Sequence, residues 1–172
     1  MIIYFQKLPN CPVNQLYRKY DTDAGFDLCV AEDTVIWPTS QLKAVIDESF
    51  EPLSFEGVLY RRYKYEKQLI PTGITIAPEQ LAWTMLVPRS SVALNFLFGL
   101  RNEIGVIDCD FRNQVMIAAI NHGMYPIPFR KGERIAQLIP IPQLQTTLQL
   151  VEQPEGLPAT QRGLGGFGST GT

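Results

Sequence analysis

Apolar runs of mostly four to eight residues, rich in Val, Ile, Leu and Phe, recur along this chain and are separated by Pro, Gly, Asn and Asp. Runs of that length, closed by turn residues, are the pattern of strands packed into a sheet. They predict strands over residues 2–7, 25–30, 33–37, 68–76, 81–87, 97–102, 105–107, 114–121, 135–141 and 145–151. Helical periodicity is scarce: residues 90–96 predict one short helix, with Ser90 or Ser91 as its cap. Many short strands with turn signals between them predict an all-β sandwich or barrel. Residues 41–67 break the rhythm. They are more charged than their flanks, run through Arg61-Arg62-Tyr63-Lys64-Tyr65, and predict a hairpin or a helix plus strand on the solvent side.

Composition narrows the class. The chain has 172 residues, 45% hydrophobic and 19% charged, which predicts one globular domain. A net charge of −2 supplies no general pull toward nucleic acid or acidic membranes. Cys11, Cys29 and Cys109 are an odd number without a CxxC, so they read as free thiols in a reducing compartment. His122 is the single histidine, and neither a Cys/His zinc spacing nor a Ser-His-Asp triad forms around it. The start of the chain turns polar too soon for a signal peptide, and no apolar run approaches membrane-spanning length. A cytoplasmic location is the expectation, or a host nucleus for a viral protein.

Four internal motifs carry chemistry. In Ala24-Gly25-Phe26-Asp27-Leu28, a carboxylate enters a strand, where it can act on a metal's water or simply close a turn. Pro88-Arg89-Ser90-Ser91 puts a guanidinium and two hydroxyls at a helix start, suited to an anion or to an ordinary cap. The stretch 102–112 holds Gly105-Val106-Ile107 and then Asp108-Cys109-Asp110-Phe111, a strand followed by a turn. Strand backbone groups there can mimic the pairing edge of a base, the Phe111 ring can pack on a sugar, and Asp108 can take a proton from water. In residues 130–139, Lys131-Gly132-Glu133 turns into a buried strand in which Gln137 is the odd polar residue. A buried amide needs partners, and a phosphate oxygen or a glycine-loop backbone can supply one.

The chain ends Arg162-Gly163-Leu164-Gly165-Gly166-Phe167-Gly168-Ser169-Thr170-Gly171-Thr172, with five glycines, one cation, one ring and three hydroxyls. Such a segment buries too little apolar surface to order itself, yet each non-glycine group suits a part of a nucleotide. The match of Gly163-x-Gly165-x-x-Gly168 to a dinucleotide fingerprint fails on context, because too little chain follows it for a helix and an acid.

These five blocks, in this order, resemble the trimeric deoxyuridine triphosphatase (dUTPase) family. The resemblance implies a β-clip or jelly-roll-like domain over 1–161, and an arm, 162–172, that closes over a site shared between subunits of a homotrimer. It implies Mg²⁺-dependent hydrolysis of dUTP to dUMP and pyrophosphate by water attack on the α-phosphorus, which keeps uracil out of DNA and supplies dUMP for thymidylate synthesis. By position, Asp108 is implied as the base, and Asn102 with Gly105, Val106 and Ile107 as the uracil reader. Phe111 is implied as the floor under deoxyribose that excludes a 2′-hydroxyl, and Met116 as a nucleotide contact. Arg89, Ser90, Ser91 and Gln137 are implied as triphosphate ligands, and Asp27 as the orienter of water on a metal that the protein does not ligate directly. Arg162 is implied at the terminal phosphate and Phe167 over uracil, with Gly168, Ser169 and Thr170 completing the arm's contacts.

Three departures stand out. Phe111 replaces a usual tyrosine, Ser91 a usual glycine, and the spacer between the first two motifs is lengthened through 41–67. The same fold also serves dCTP deaminases, which share an Arg-Ser-Ser motif; their chemistry needs a glutamate near the base, and residues 114–119 hold no acid. Since some dUTPases also bind regulatory proteins, the 41–67 segment is the expected place for such a partner.

Overall fold

The computed structural model describes residues 2–78, 81–144 and 146. Its elements are β1 (Ile3–Lys7), β2 (Phe26–Cys29), β3 (Thr34–Ile36), β4 (Ala44–Ile46), β5 (Leu53–Phe55), β6 (Val58–Tyr60), β7 (Tyr63–Tyr65), β8 (Leu69–Pro71), β9 (Ile74–Pro78), β10 (Ala82–Pro88), α1 (Ser90–Phe96), β11 (Phe98–Leu100), β12 (Gly105–Ile107), β13 (Met116–Asn121), β14 (Ile127–Phe129) and β15 (Arg134–Pro142). The architecture is all-β, as the apolar runs predict, and jelly-roll-like, as the resemblance implies. A four-stranded sheet in the order β12-β10-β15-β2 lies with a three-stranded one, β11-β13-β8, and the pairs β1-β9 and β14-β3 flank them. Every pairing is antiparallel.

Alternation places the core. In β13 the side chains of Ile117, Ala119 and Asn121 are buried while their neighbours are half-exposed, and β10 does the same with Ala82, Thr84 and Leu86. Of these, Ile117, Ala119 and Leu86 join Leu28, Val30, Ile70, Ile74, Ile135 and Leu138 in one apolar cluster. Polar pins cross it. Gln15, buried, donates through Nε2 to the carbonyls of Cys29 (3.1 Å) and Thr72, and accepts the Cys29 N–H at 2.6 Å. Asn121 Nδ2 donates to the Ile36 and Tyr125 carbonyls at 2.9 and 2.8 Å, holding β14-β3 to the body. Burial keeps the Cys29 thiol neutral by pushing it up to about 11.

The boundaries differ from the apolar runs where backbone geometry intervenes. The run 68–76 is two strands, β8 and β9, because Gly73 takes a φ of +74° and breaks the extension. A Cβ at Gly73 would stand 2.6 Å from Cys11 Cα, so only glycine fits there. Strand β14 is short and interrupted by Pro128, which hid it from the pattern. The helix falls on its predicted residues, but Arg89 occupies the cap position, not Ser90 or Ser91, and makes no side-chain capping bond. The predicted strand 145–151 lies outside the described residues except for Thr146, which is in no strand.

Residues 41–67 form a nested hairpin rather than a helix plus strand. Strand β4 pairs with β7, and β5 with β6 around a two-residue turn at Glu56 and Gly57, both with positive φ. All residues of these four strands are exposed. Asp47 accepts Lys64 Nζ and Ser49 Oγ, each at 2.6 Å, and these bonds hold its carboxyl down at about 2. At the root, Arg101 Nη1 donates to the Glu66 carbonyl at 2.7 Å.

One contact sets the seating of β12. A Cβ at Gly105 would lie 2.8 Å from Leu86 Cβ on β10. Gly105→Ala should therefore cost about 1–3 kcal/mol of stability in chemical denaturation through overpacking. Combined with Leu86→Ala, which opens room, its cost should fall well below the sum of the single effects.

Candidate active site

Among the described residues, strand β12 is the edge of its sheet and pairs with β10 in the register Thr84↔Ile107, Met85↔Val106 and Leu86↔Gly105. An edge strand spends half of its backbone N–H and C=O groups on its neighbour and leaves the other half available for pairing. Beside it opens a cavity of about 170 Å³ lined by Leu86, Asn102, Gly105, Val106, Ile107, Phe111, Gln114, Val115, Met116 and Ala118. The structure thus gathers Asn102, the 105–107 backbone, Phe111 and Met116 around one space from three separate segments. The lining is apolar apart from two amides and contains no carboxylate. That suits a flat, neutral heterocycle read by backbone groups.

The turn after β12 positions the next groups. The Phe111 N–H donates to the Asp108 carbonyl at 3.2 Å, so Asp108 opens and Phe111 closes one turn. Both are exposed, Phe111 at 37%. Arg112 braces this turn by donating through Nη1 to the carbonyls of Cys109 (2.7 Å) and Phe111 (3.0 Å). Gln114 is anchored by accepting the Gly73 N–H at 3.0 Å. Neither Arg112 nor Gln114 stood out in the sequence. The only available signal was polarity beside a strand, which is common at solvated turns.

A second cluster forms where β10, β15 and β2 run side by side in the registers Val87↔Gln137 and Gln137↔Asp27. Asp27, with a side chain 9% exposed, is its centre. Arg89 Nε lies 3.1 Å from Oδ1, Arg134 Nη1 donates to Oδ2 at 3.1 Å, and Gln137 Nε2 donates to Oδ1 at 3.1 Å. Among the described residues, Gln137 thus finds its partner in Asp27. The pairing with Asp27 puts Arg134 inside the cluster. Ser90 and Ser91 begin α1, both exposed, directly after Arg89. The two clusters share no side-chain hydrogen bond among the described residues. Arg162, Phe167, Gly168, Ser169 and Thr170 lie outside the described residues.

No group of three or more His, Cys, Asp or Glu side chains that could hold a metal occurs among the described residues. With two guanidiniums on it, Asp27 is a poor direct ligand for a divalent cation. The donor set fits a cation carried by phosphate oxygens and water rather than by a protein cage.

Residues 59–171 match the sequence profile of the dUTPase family. Over 106 residues, 62% of this chain, the sequence is 41% identical to the deoxyuridine 5′-triphosphate nucleotidohydrolase of Anaeromyxobacter sp. (strain Fw109-5), 70% of which is covered. It is 42% identical over 106 residues to the protein of the same name from Methylocella silvestris, covering 64% of that chain. In structure, the dUTPase of Staphylococcus bacteriophage 80alpha aligns with a TM-score of 0.74 at 23% identity over 99% of each chain. A dUTPase of the S. aureus phage phi11 aligns with a TM-score of 0.65 at 18% identity, over 91% of this chain and 100% of its own. The structural likenesses give the fold, and the sequence matches give the lineage: the chain belongs to the dUTPase family.

Proposed function

We propose that this protein hydrolyses dUTP to dUMP and pyrophosphate. The observation that carries the reading is the cavity beside edge strand β12, where Phe111, Asn102 and Met116 meet a free backbone edge and no acid. Backbone groups of Gly105–Ile107 pair with the uracil edge, Asn102 adds an amide, and Phe111 packs under the sugar. Asp108, exposed at the start of the adjoining turn, accepts a proton from the attacking water. Arg89, Ser90, Ser91 and Gln137 bind the triphosphate, whose charge shifts toward pyrophosphate as the α-phosphorus bond breaks. Bound Mg²⁺ supplies charge neutralisation on the phosphates. Asp27, held in the arginine cluster, would orient water on such a cation. A phi11 phage dUTPase is described with a structural Mg(II) ion, and the 80alpha dUTPase with dUpNHpp.

The base cavity and the arginine cluster are separate in one chain, which suits a site completed between subunits of a homotrimer. Exposed apolar side chains such as Tyr4 and Phe5 on β1 and Val106 on β12 fit burial in such contacts. The domain 1–161 forms the body, and residues 162–172 act as the closing arm through Arg162 and Phe167. A soluble, cytoplasmic setting fits the free cysteines. The deaminase reading is disfavoured by the absence of a carboxylate from the cavity lining.

A second role rests on the hairpin 41–67. Its exposed Leu53, Phe55, Tyr60, Tyr63 and Tyr65 exceed what a solvated loop needs, and suit a protein partner. The 80alpha phage dUTPase is described as controlling transfer of virulence genes by a G protein-like mechanism. Pull-down with and without the hairpin tests this role separately from catalysis.

Product analysis of dUTP, dCTP, dTTP and UTP with Mg²⁺ decides the main reading: dUMP and pyrophosphate from dUTP alone are expected, and deamination of dCTP would overturn it. Asp108→Asn should keep affinity for a dUTP analogue and lose about 10²–10⁴-fold in turnover, as an amide of the same size takes no proton. Phe111→Ala should relax discrimination against UTP in parallel kcat/KM measurements, whereas Phe111→Tyr should leave it nearly unchanged because the ring face persists.

A further inference from the structure

Two guanidiniums share one carboxylate at the centre of the second cluster, and that count is the unexplained feature of the site. Arg89 and Arg134 are positive and Asp27 is negative, so the cluster retains one positive charge. Among the described residues, neighbouring acids do not compensate it. Glu133 Oε1 accepts the Arg130 N–H at 3.1 Å, and Asp33 Oδ1 accepts the Lys131 N–H at 2.8 Å, so both are turned to the backbone of the preceding loop. The Cys29 thiol, raised by burial, stays protonated and neutral.

The two arginines are not equivalent. Arg134 is gripped from both sides: its guanidinium carbon lies 4.9 Å from the centre of the Tyr17 ring, and the Asp27 N–H donates to the Tyr17 carbonyl at 2.7 Å. Arg89 is tethered along one edge only. Its Nε meets Asp27 Oδ1, its Nη1 donates to the Arg134 carbonyl at 3.3 Å, and its backbone N–H donates to the Ile135 carbonyl at 3.0 Å. A guanidinium has five N–H donors, and among the described residues most of the Arg89 fork remains unspent beside Ser90 and Ser91.

We propose that Arg134, braced by Tyr17, is a positioning residue for triphosphate recognition: by neutralising Asp27 it leaves the charge of Arg89 uncompensated and available to phosphate oxygens. Without Arg134, Asp27 pairs with Arg89 alone, the cluster becomes neutral, and the guanidinium is drawn inward. The argument rests on the reading of Arg89 as a phosphate ligand given above.

The test is calorimetric binding of two ligands to the full-length protein in EDTA: a non-hydrolysable dUTP analogue, which reads base and phosphates, and deoxyuridine, which reads the base cavity alone. Arg134→Met should weaken the analogue roughly tenfold to a hundredfold, the range for a charge-assisted bond, and leave deoxyuridine within about twofold by the same reasoning. Arg134→Lys should retain most of the analogue affinity. Adding Asp27→Asn to Arg134→Met should recover part of it, because Arg89 is again uncompensated. Arg134→Gln keeps a donor to Asp27 without the charge and carries the same test if Arg134→Met does not fold. Equal losses for both ligands would mean a scaffold role and overturn the proposal, as would an unchanged analogue affinity or a double variant weaker than the single one. Wild-type protein that binds neither ligand would overturn the functional reading along with it.

Discussion

Strand β10 is hydrogen-bonded on both edges, to β12 on one side and to β15 on the other, and the site depends on that double ladder. Its buried face carries Leu86 into the base cavity and against Gly105. It ends at Pro88, whose ring removes a donor and turns the chain directly into Arg89. Through β15 it fixes β2, so that Asp27 and Gln137 stand side by side. A slip of one residue in this register would send Asp27 and Gln137 to the opposite face and dissolve the cluster. The same antiparallel ladder therefore places the β12 cavity at its edge and the Asp27 cluster at its end.

Holding loops against such a sheet requires buried polar groups to be satisfied, and the chain uses amides for it. Gln15 joins β2 to the turn after β8, Gln114 holds Gly73, and Asn121 fastens β14-β3. Each serves backbone groups that would otherwise be buried without partners, at a cost of about 1–3 kcal/mol apiece. Neutral amides do this without adding charge near the arginine cluster.

The hairpin 41–67 is built differently. Its strands bury no side chains, and its order comes from local devices: a positive-φ turn, the Asp47–Lys64 pair, and Arg62 stacked 3.8 Å from the centre of the Phe50 ring. Yet its root is bonded to Arg101, the residue before Asn102 of the base cavity.

The lengths of the apolar runs and the turn residues between them carried the all-β class and most strand positions, and the hydroxyls of Ser90 and Ser91 marked the short helix. The blocks around Asp27, Arg89, Asp108 and Gln137 were legible as chemistry because each combines turn residues with charged or hydroxyl groups. What stayed hidden depended on distance in space. The break at Gly73 comes from close approach to Cys11, the Asp27–Gln137 bond spans two strands far apart in sequence, and Arg134 looks like any basic strand residue until Asp27 and Tyr17 are beside it. Local sequence determines which conformation a segment prefers and which groups it offers. Only the tertiary register decides which charges share a carboxylate, because electrostatic partnership falls off over a few ångströms and the chain's order says nothing about them.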